Sequence, residues 1–231
     1  MLLPATPDPK HLRPRIQRIQ EELFNYREQG LRGFATSSFQ SNSVVLLHLI
    51  ARFWPTLPVW FLNTGFHFPE TLSFRRGLAV RFGLDIRDAR SPVSRAQQRD
   101  ASGRLLFTTD PDHCCHLNKV LPLDPVIAAA QLWINGVRAS QSAERAAMAR
   151  EGTGRGGIRR YHPLIDWTGA EVEHYLNGHD LPRHPLEEQG YGSVGCEPCT
   201  RRPAGGDLDD RSGRWSGQNK TECGLHVGGG S

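Results

Sequence analysis

Gly33-Phe34-Ala35-Thr36-Ser37-Ser38-Phe39 runs almost directly into an apolar segment carrying Val44, Val45, Leu46, Leu47, Leu49 and Ile50, and this junction decides the fold. The first part predicts a short strand that ends in small hydroxyl residues; the second predicts a buried helix over 41–52. A strand, a polar turn and a helix N-terminus together present backbone N–H groups to an anion. The pattern then repeats. Residues 58–63 (Pro58-Val59-Trp60-Phe61-Leu62-Asn63) form a second expected strand, Thr64-Gly65 a turn, and 69–82 a helix with proline in its first turn, followed by a third strand over 84–88.

Alternation of strands and helices implies parallel pairing with right-handed crossovers, and ligands in such sheets sit at the carboxyl ends of the strands. The Thr36–Ser38 and Asn63–Gly65 turns should therefore face one site. Upstream, Ile16, Ile19, Leu23 and Phe24 recur at helical spacing and predict an amphipathic helix over 14–28, closed by Gly30. Residues 1–13, with three prolines, read as a loose arm. Downstream, 91–109 reads as a polar surface excursion, 112–121 as a helix and 132–137 as a further strand. A helix capped by Thr168 or Asp166 is expected to run to Leu176. The glycine-rich stretch 151–157 lacks the Gly-Lys-Ser/Thr ending of a phosphate loop and reads as a hairpin loop.

The chain has 231 residues, 38% hydrophobic and 23% charged, with a net charge of +4. That suits one soluble domain and excludes a membrane protein, for no apolar run reaches the ~18 residues a span needs. The N-terminus lacks a basic region followed by an apolar core, so a cytoplasmic location is expected. No basic run is dense enough to predict nucleic-acid binding, whereas a small anionic substrate needs only a few arginines. Five cysteines, Cys114, Cys115, Cys196, Cys199 and Cys223, are too few and too odd in number for a disulfide framework in a reducing compartment.

Cys196-x-x-Cys199 alone could be half a zinc site or a redox dithiol. Neighbouring Cys114-Cys115 shifts the balance, because adjacent residues rarely share one tetrahedral zinc, whereas a [4Fe–4S] cluster offers four irons, each wanting one thiolate. A zinc-type site in a binding protein, and plain structural thiols, stay open at this point. Cys223 is left over, placed near the C-terminus where a thiol can meet two partners in turn.

Several stretches carry a resemblance: Cys114-Cys115-His116-Leu117-Asn118-Lys119-Val120, Trp133-Ile134-Asn135-Gly136-Val137-Arg138 with Gln141-Ser142, Gly190-Tyr191-Gly192-Ser193-Val194-Gly195-Cys196 with Pro198-Cys199-Thr200, and Arg211-x-Gly213-Arg214-Trp215 leading to Glu222-Cys223-Gly224-Leu225-His226. Over about residues 30–226 the chain resembles the assimilatory sulfonucleotide reductases, and its two cysteine pairs are similar to those of the cluster-carrying adenosine 5′-phosphosulfate (APS) reductases. The resemblance implies an α/β fold with a parallel-sheet, nucleotide-binding domain related to the ATP pyrophosphatases and adenine nucleotide alpha hydrolases. It implies an arm at 1–13, the domain with its iron–sulfur site at 14–200, and a mobile catalytic tail at 201–231. The implied reaction is thioredoxin-dependent reduction of APS to sulfite and AMP through an enzyme S-sulfocysteine. The alternative is the 3′-phosphorylated nucleotide (PAPS), with the same chemistry.

Carried over by motif, Cys223 is the nucleophile, and Cys114, Cys115, Cys196 and Cys199 hold one [4Fe–4S] cluster per subunit. Lys119, Arg138, Arg211 and Arg214 are the cations around the phosphosulfate, with His226 beside the thiol. Ser37, Ser38, Phe39, Leu62, Thr64 and Gly65 contact the nucleotide. Thioredoxin, or glutaredoxin, is the implied reductant; no nucleic acid or membrane is implied, and a homo-oligomer is left open. Four positions depart from the family pattern: Asn63 stands for an aspartate, Asn42-Ser43 for an acidic pair and Asn118 for a common arginine. Asn63 and Asn42-Ser43 remove negative charge near a ribose and leave the choice between APS and PAPS open. Because the thiolate is the nucleophile and an ordinary cysteine ionises near pH ~8.5, nearby cations have a reason to be there.

Overall fold

The computed structural model describes residues 7–203, 211–215, 220, 222, 224 and 225. Helix α1 (Arg13–Glu28) leads to β1 (Gly33–Thr36), α2 (Ser41–Phe53), β2 (Val59–Leu62), α3 (Pro69–Phe82) and β3 (Ile86–Ala89). Short helices α4 (Leu106–Thr109) and α5 (Pro111–Cys115) follow. A π-helical turn, His116–Val120, then joins α5 to α6 (Leu121–Ala128). Strand β4 (Leu132–Asn135), helix α7 (Ala143–Ala146), the hairpin β5 (Glu151–Thr153) and β6 (Arg159–Tyr161), and α8 (Gly169–Gly178) complete the domain.

The sheet order is β3-β2-β1-β4-β6-β5, parallel throughout except for the β5–β6 pair. The chain winds outward from β1 through β2 to β3, then returns to the other side of β1 with β4. The strand order therefore reverses between β1 and β4, and a crevice opens there at the carboxyl ends. Alternation along β1 sends Ala35 into a core formed with α1, α2 and α8, and Phe34 to the opposite face with Leu123, Ile127, Trp133 and Ile158. With both faces covered, the central strands β1, β2 and β4 carry little polar alternation; β4 is buried at every position.

Several expectations need correction. Phe24 is 49% exposed, and Tyr26 takes its place in the buried stripe of α1, because the helix face turns past position 24 before it meets the sheet. The described part of the arm, 7–12, is docked: Leu12 is fully buried, and Asp8 receives both terminal nitrogens of Arg52 at 2.6 and 3.0 Å. The excursion at 91–109 is not all surface, since Gln98 and Leu106 are buried. Arg159-Arg160-Tyr161 forms a strand that no apolar pattern announced. It is held by pairing on both sides, and Arg160 lies over the Trp133 ring at 4.7 Å. Thr168 caps α8 in a reciprocal pair with Glu171.

Candidate active site

The crevice between β1 and β4 is a cleft of about 170 Å³. Its floor is Thr36, Ser37 and Ser38 after β1, and Asn135, Gly136 and Val137 after β4. The α2 N-terminus forms one wall through Gln40, Asn42 and Ser43, and no acidic residue occupies the first turn of that helix. An N-terminus without a local carboxylate leaves its N–H dipoles to an incoming anion. The turn holds itself: Ser38 Oγ lies 3.1 Å from Ser43 Oγ, and the Phe39 N–H donates to Ser37 Oγ at 3.1 Å. Gln40 Oε1 accepts from the Val194 N–H and the Ser193 hydroxyl, tying the turn to the Gly190–Cys196 run across the cleft.

Lys119, Arg211 and Arg214 line the same cleft, as do Leu62 and Leu225. Arg211 and Arg214 arrive there because residues 211–215 fold back on the cysteine turn. Trp215 N–H donates to Cys199 O at 3.0 Å, and Arg201 N–H to Gly213 O at 2.8 Å. Both guanidinium groups lie over the buried Trp215 ring, at 5.5 and 4.7 Å. Gly195 permits this approach, since a Cβ there would come 2.2 Å from an Arg214 terminal nitrogen.

The remaining expected residues are placed differently. Phe39 is fully buried, edge-on to Phe61 at 5.4 Å, and supports the turn from below rather than lining the cleft. Thr64 and Gly65 lie outside the lining, Thr64 on the cysteine side and Gly65 at φ 74° with its carbonyl held by Arg95. Arg138 is buried outside the cleft lining, its backbone N–H held by Gln141 Oε1 and its guanidinium near Ser140. Cys223 and His226 lie outside the described residues.

Next to the cleft, Cys114, Cys115, Cys196 and Cys199 line one small cavity of about 10 Å³, with Thr64, Asn118, Lys119 and Trp215 in its wall. The first pair sits at the end of α5, whose N-terminus is fixed by Asp110 accepting from the His113 N–H. The second pair is carried on a turn docked to the β2–α3 loop, where Glu197 N–H donates to Phe66 O at 2.7 Å and Thr200 Oγ1 donates to Cys196 O. Burial pushes the Cys114 thiol up to about 12, with further upward pressure from the other three cysteines, while Lys119 opposes both. Burial also raises Cys199. Such thiols lose their protons together only when positive charge is brought among them. Among the described residues, no three His, Cys, Asp or Glu side chains gather tightly enough for a single metal ion. Four sulfurs spread around one cavity fit four separate irons better than one zinc.

Two hydrogen bonds reach these sulfurs. Thr64 Oγ1 lies 3.3 Å from Cys196 Sγ, and Asn118 Nδ2 points at Cys114 Sγ from 3.6 Å while pairing with buried Gln98. Asn118, which departs from the family pattern, is thus an amide built into the cavity wall.

Sequence reasoning passed over Arg145, His67 and the part Asn135 plays. Arg145 lines the cleft from α7 and binds Glu222, also in the lining. Burial drives His67 down to about 4, so this cleft residue is neutral near pH 7. Asn135 is 3% exposed, and neither its Nδ2 nor its Oδ1 has a hydrogen-bond partner among the described residues. Its place at the last position of β4, on the crevice floor, was the available signal.

The phosphoadenosine phosphosulfate reductase domain model matches residues 33–202. The chain belongs to this family. It is 38% identical to the adenosine 5′-phosphosulfate reductase of Rhodococcus opacus (strain B4), over 90% of this chain and 85% of that one. It is also 41% identical to the phosphoadenosine 5′-phosphosulfate reductase of Gloeobacter violaceus, over 83% and 80% of the two chains. Among solved structures, the phosphoadenylyl-sulfate reductase of Candida auris in a phosphate complex superposes with a TM-score of 0.65. It covers 79% of this chain and 94% of its own at 22% identity, a likeness of fold.

Proposed function

We propose that the chain is a thioredoxin-dependent reductase of adenosine 5′-phosphosulfate in sulfate assimilation, working in the cytoplasm. The observation that carries this reading is the cationic cleft at the strand-order reversal, flanked directly by the four-cysteine cavity, in a chain of this family. The turn after β1 and the α2 N-terminus offer N–H groups and hydroxyls to the nucleotide's anion, and Lys119, Arg211 and Arg214 meet the phosphosulfate.

Cys223 attacks the sulfur: an Sγ–S bond forms, the S–O bond to phosphate breaks, and AMP leaves with the electron pair. Cations aimed at the sulfate oxygens counter the repulsion between thiolate and anion, as they do in phosphoryl transfer. One thiolate of reduced thioredoxin then attacks Cys223 Sγ and releases sulfite. Its second thiolate resolves the mixed disulfide, so two electrons pass from thioredoxin and Cys223 is regenerated. His226 stands three residues beyond the thiol. Cys114, Cys115, Cys196 and Cys199 would hold one [4Fe–4S] cluster, which would supply positive iron for four thiolates, two of them buried, and a charged neighbour for Lys119.

A second reading, reduction of PAPS, is favoured by one observation. Glu222 is the only carboxylate among the described cleft residues, and it is engaged by arginines, so nothing acidic there repels a 3′-phosphate. Steady-state kinetics on both nucleotides, with anaerobically purified and iron-quantified protein, test the proposal. We expect sulfite and AMP from APS, brownish protein with about four irons per chain, and no S-sulfo adduct on Cys223→Ser. A colourless zinc protein, or full turnover by that variant, would refute it.

A further inference from the structure

We propose that Arg145 is a positioning residue for the chemical step: through Glu222 it fixes the tail on which the reactive thiol is carried. This inference rests on the reading of Cys223 as nucleophile. Arg145 Nε and Nη2 donate to the two oxygens of Glu222 at 2.7 and 2.9 Å, a bidentate pair, with side chains only 9% and 2% exposed. The remaining terminal nitrogen, Nη1, donates to Gln141 Oε1 at 2.6 Å. The same Gln141 oxygen accepts the Arg138 backbone N–H, so the Arg145 fork is set by the loop that leaves β4. All three side-chain nitrogens of Arg145 are thereby engaged by Glu222 and Gln141.

Glu222 does two things with this anchorage. Its Oε1 also accepts from Arg211 Nη2 at 3.1 Å, which orients one of the cleft cations. It also precedes Cys223 by one peptide bond, and consecutive Cα atoms across a trans peptide stand about 3.8 Å apart. On the other side of Cys223, Leu225 lines the cleft and packs against the cluster of Phe34, Leu123 and Trp133. A Cβ on Gly224 would meet Val120 Cγ2 at 3.4 Å. The thiol's two flanks are therefore held by independent contacts, one ionic and one apolar. A buried ion pair is a poor source of net stability, because desolvation of both charges offsets their attraction; what it offers is one defined geometry. An attacking atom displaced by about 1 Å can lose on the order of 100-fold in rate.

The test compares wild type with Glu222→Gln, Arg145→Ala, Arg145→Lys and the Arg145→Ala/Glu222→Gln double variant. S-sulfocysteine formation at saturating APS is followed in a single turnover by mass spectrometry, and AMP affinity is measured on the same preparations. We expect Glu222→Gln and Arg145→Ala to slow adduct formation by roughly 100-fold while AMP affinity is retained. Arg145→Lys should fall between, since it keeps charge and loses the fork. The double variant should be no slower than the slower single, the mark of two residues acting through each other. Parallel loss of AMP affinity would make Arg145 a nucleotide ligand and overturn the proposal, as would additive effects. Absence of the adduct in wild type would instead remove the enzymatic reading. The anchor then stands or falls on whether Glu222→Gln speeds alkylation of Cys223 by iodoacetamide.

Discussion

The nucleotide cleft and the four-cysteine cavity share a wall, yet they are built in opposite ways. The cleft floor comes from the turns that follow β1 and β4, so a strand and the few residues after it deliver hydroxyls, N–H groups and an amide to one place. The cavity has no such local origin. It joins the end of α5 to a turn some eighty residues later, and contacts distant in sequence, among them docking of that turn on the β2–α3 loop, bring the pairs together. The cleft is cationic and open to an anion; the cavity is small, and burial pushes its Cys114 and Cys199 thiols toward their protonated form. Lys119 belongs to both. The π-helical turn that carries it sets it between thiol cavity and anion cleft, a use of π geometry common at functional sites.

If the cavity's sulfurs depend on metal for their charge, the largest effect should come from removing one. Cys196→Ser is expected to lose most of its iron and its visible absorbance, and with them measurable sulfite production. Retention of four irons and full activity, read by iron analysis and a sulfite assay, would break the distinction drawn between the two regions. Lys119→Ala comes next. It should keep its iron while kcat/KM falls by about 10²–10³, the loss seen when one donor to a developing anion is deleted, or about 2.7–4 kcal/mol. Parallel loss of iron would mean that the lysine serves the cavity alone.

The sequence made the cleft's floor legible and hid much of its rim. Ser37, Ser38 and Leu62 could be found because each follows or ends an apolar strand at a known point of an α/β unit. Phe39 misled for the same reason: adjacency in sequence suggested contact, but its φ of 57° turns the backbone and sends the ring into the core. Arg145 and Glu222, 77 residues apart, carry no local signal, because an ion pair has no periodicity. β6 was missed likewise: Arg-Arg-Tyr reads as a loop until Trp133 and two neighbouring strands are there to receive it. The cysteines were legible by chemistry rather than pattern, since four thiols and one spare suggest a metal group whatever the fold.

Asn135 gives a smaller and more diagnostic effect within the cleft. Its buried amide finds no partner among the described residues, and an unsatisfied buried polar group costs about 1–3 kcal/mol. Asn135→Leu should therefore raise the denaturant midpoint of the ligand-free protein while weakening AMP binding by about tenfold, through loss of a bond worth ~1.5 kcal/mol. Stability and affinity moving together would show that the amide belongs to the fold rather than to the ligand.

The smallest effect tests the wall from the cavity's side. Thr64 Oγ1 accepts the Phe66 N–H at 3.2 Å, which leaves its own proton free for Cys196 Sγ at 3.3 Å. A hydrogen bond to a cluster-bound sulfur favours the more negative, reduced state, and such bonds are among the determinants of cluster potential. Thr64→Val keeps the shape and deletes the donor. Its iron content should be unchanged and its reduction potential lower than wild type in a spectroscopic titration. Because thioredoxin and Cys223 carry both electrons of the proposed reaction, turnover should scarcely change. A potential shift accompanied by a proportionate fall in kcat would place electron transfer through the cavity on the reaction path, and the two regions would then be one redox site rather than a cleft beside an electrostatic neighbour.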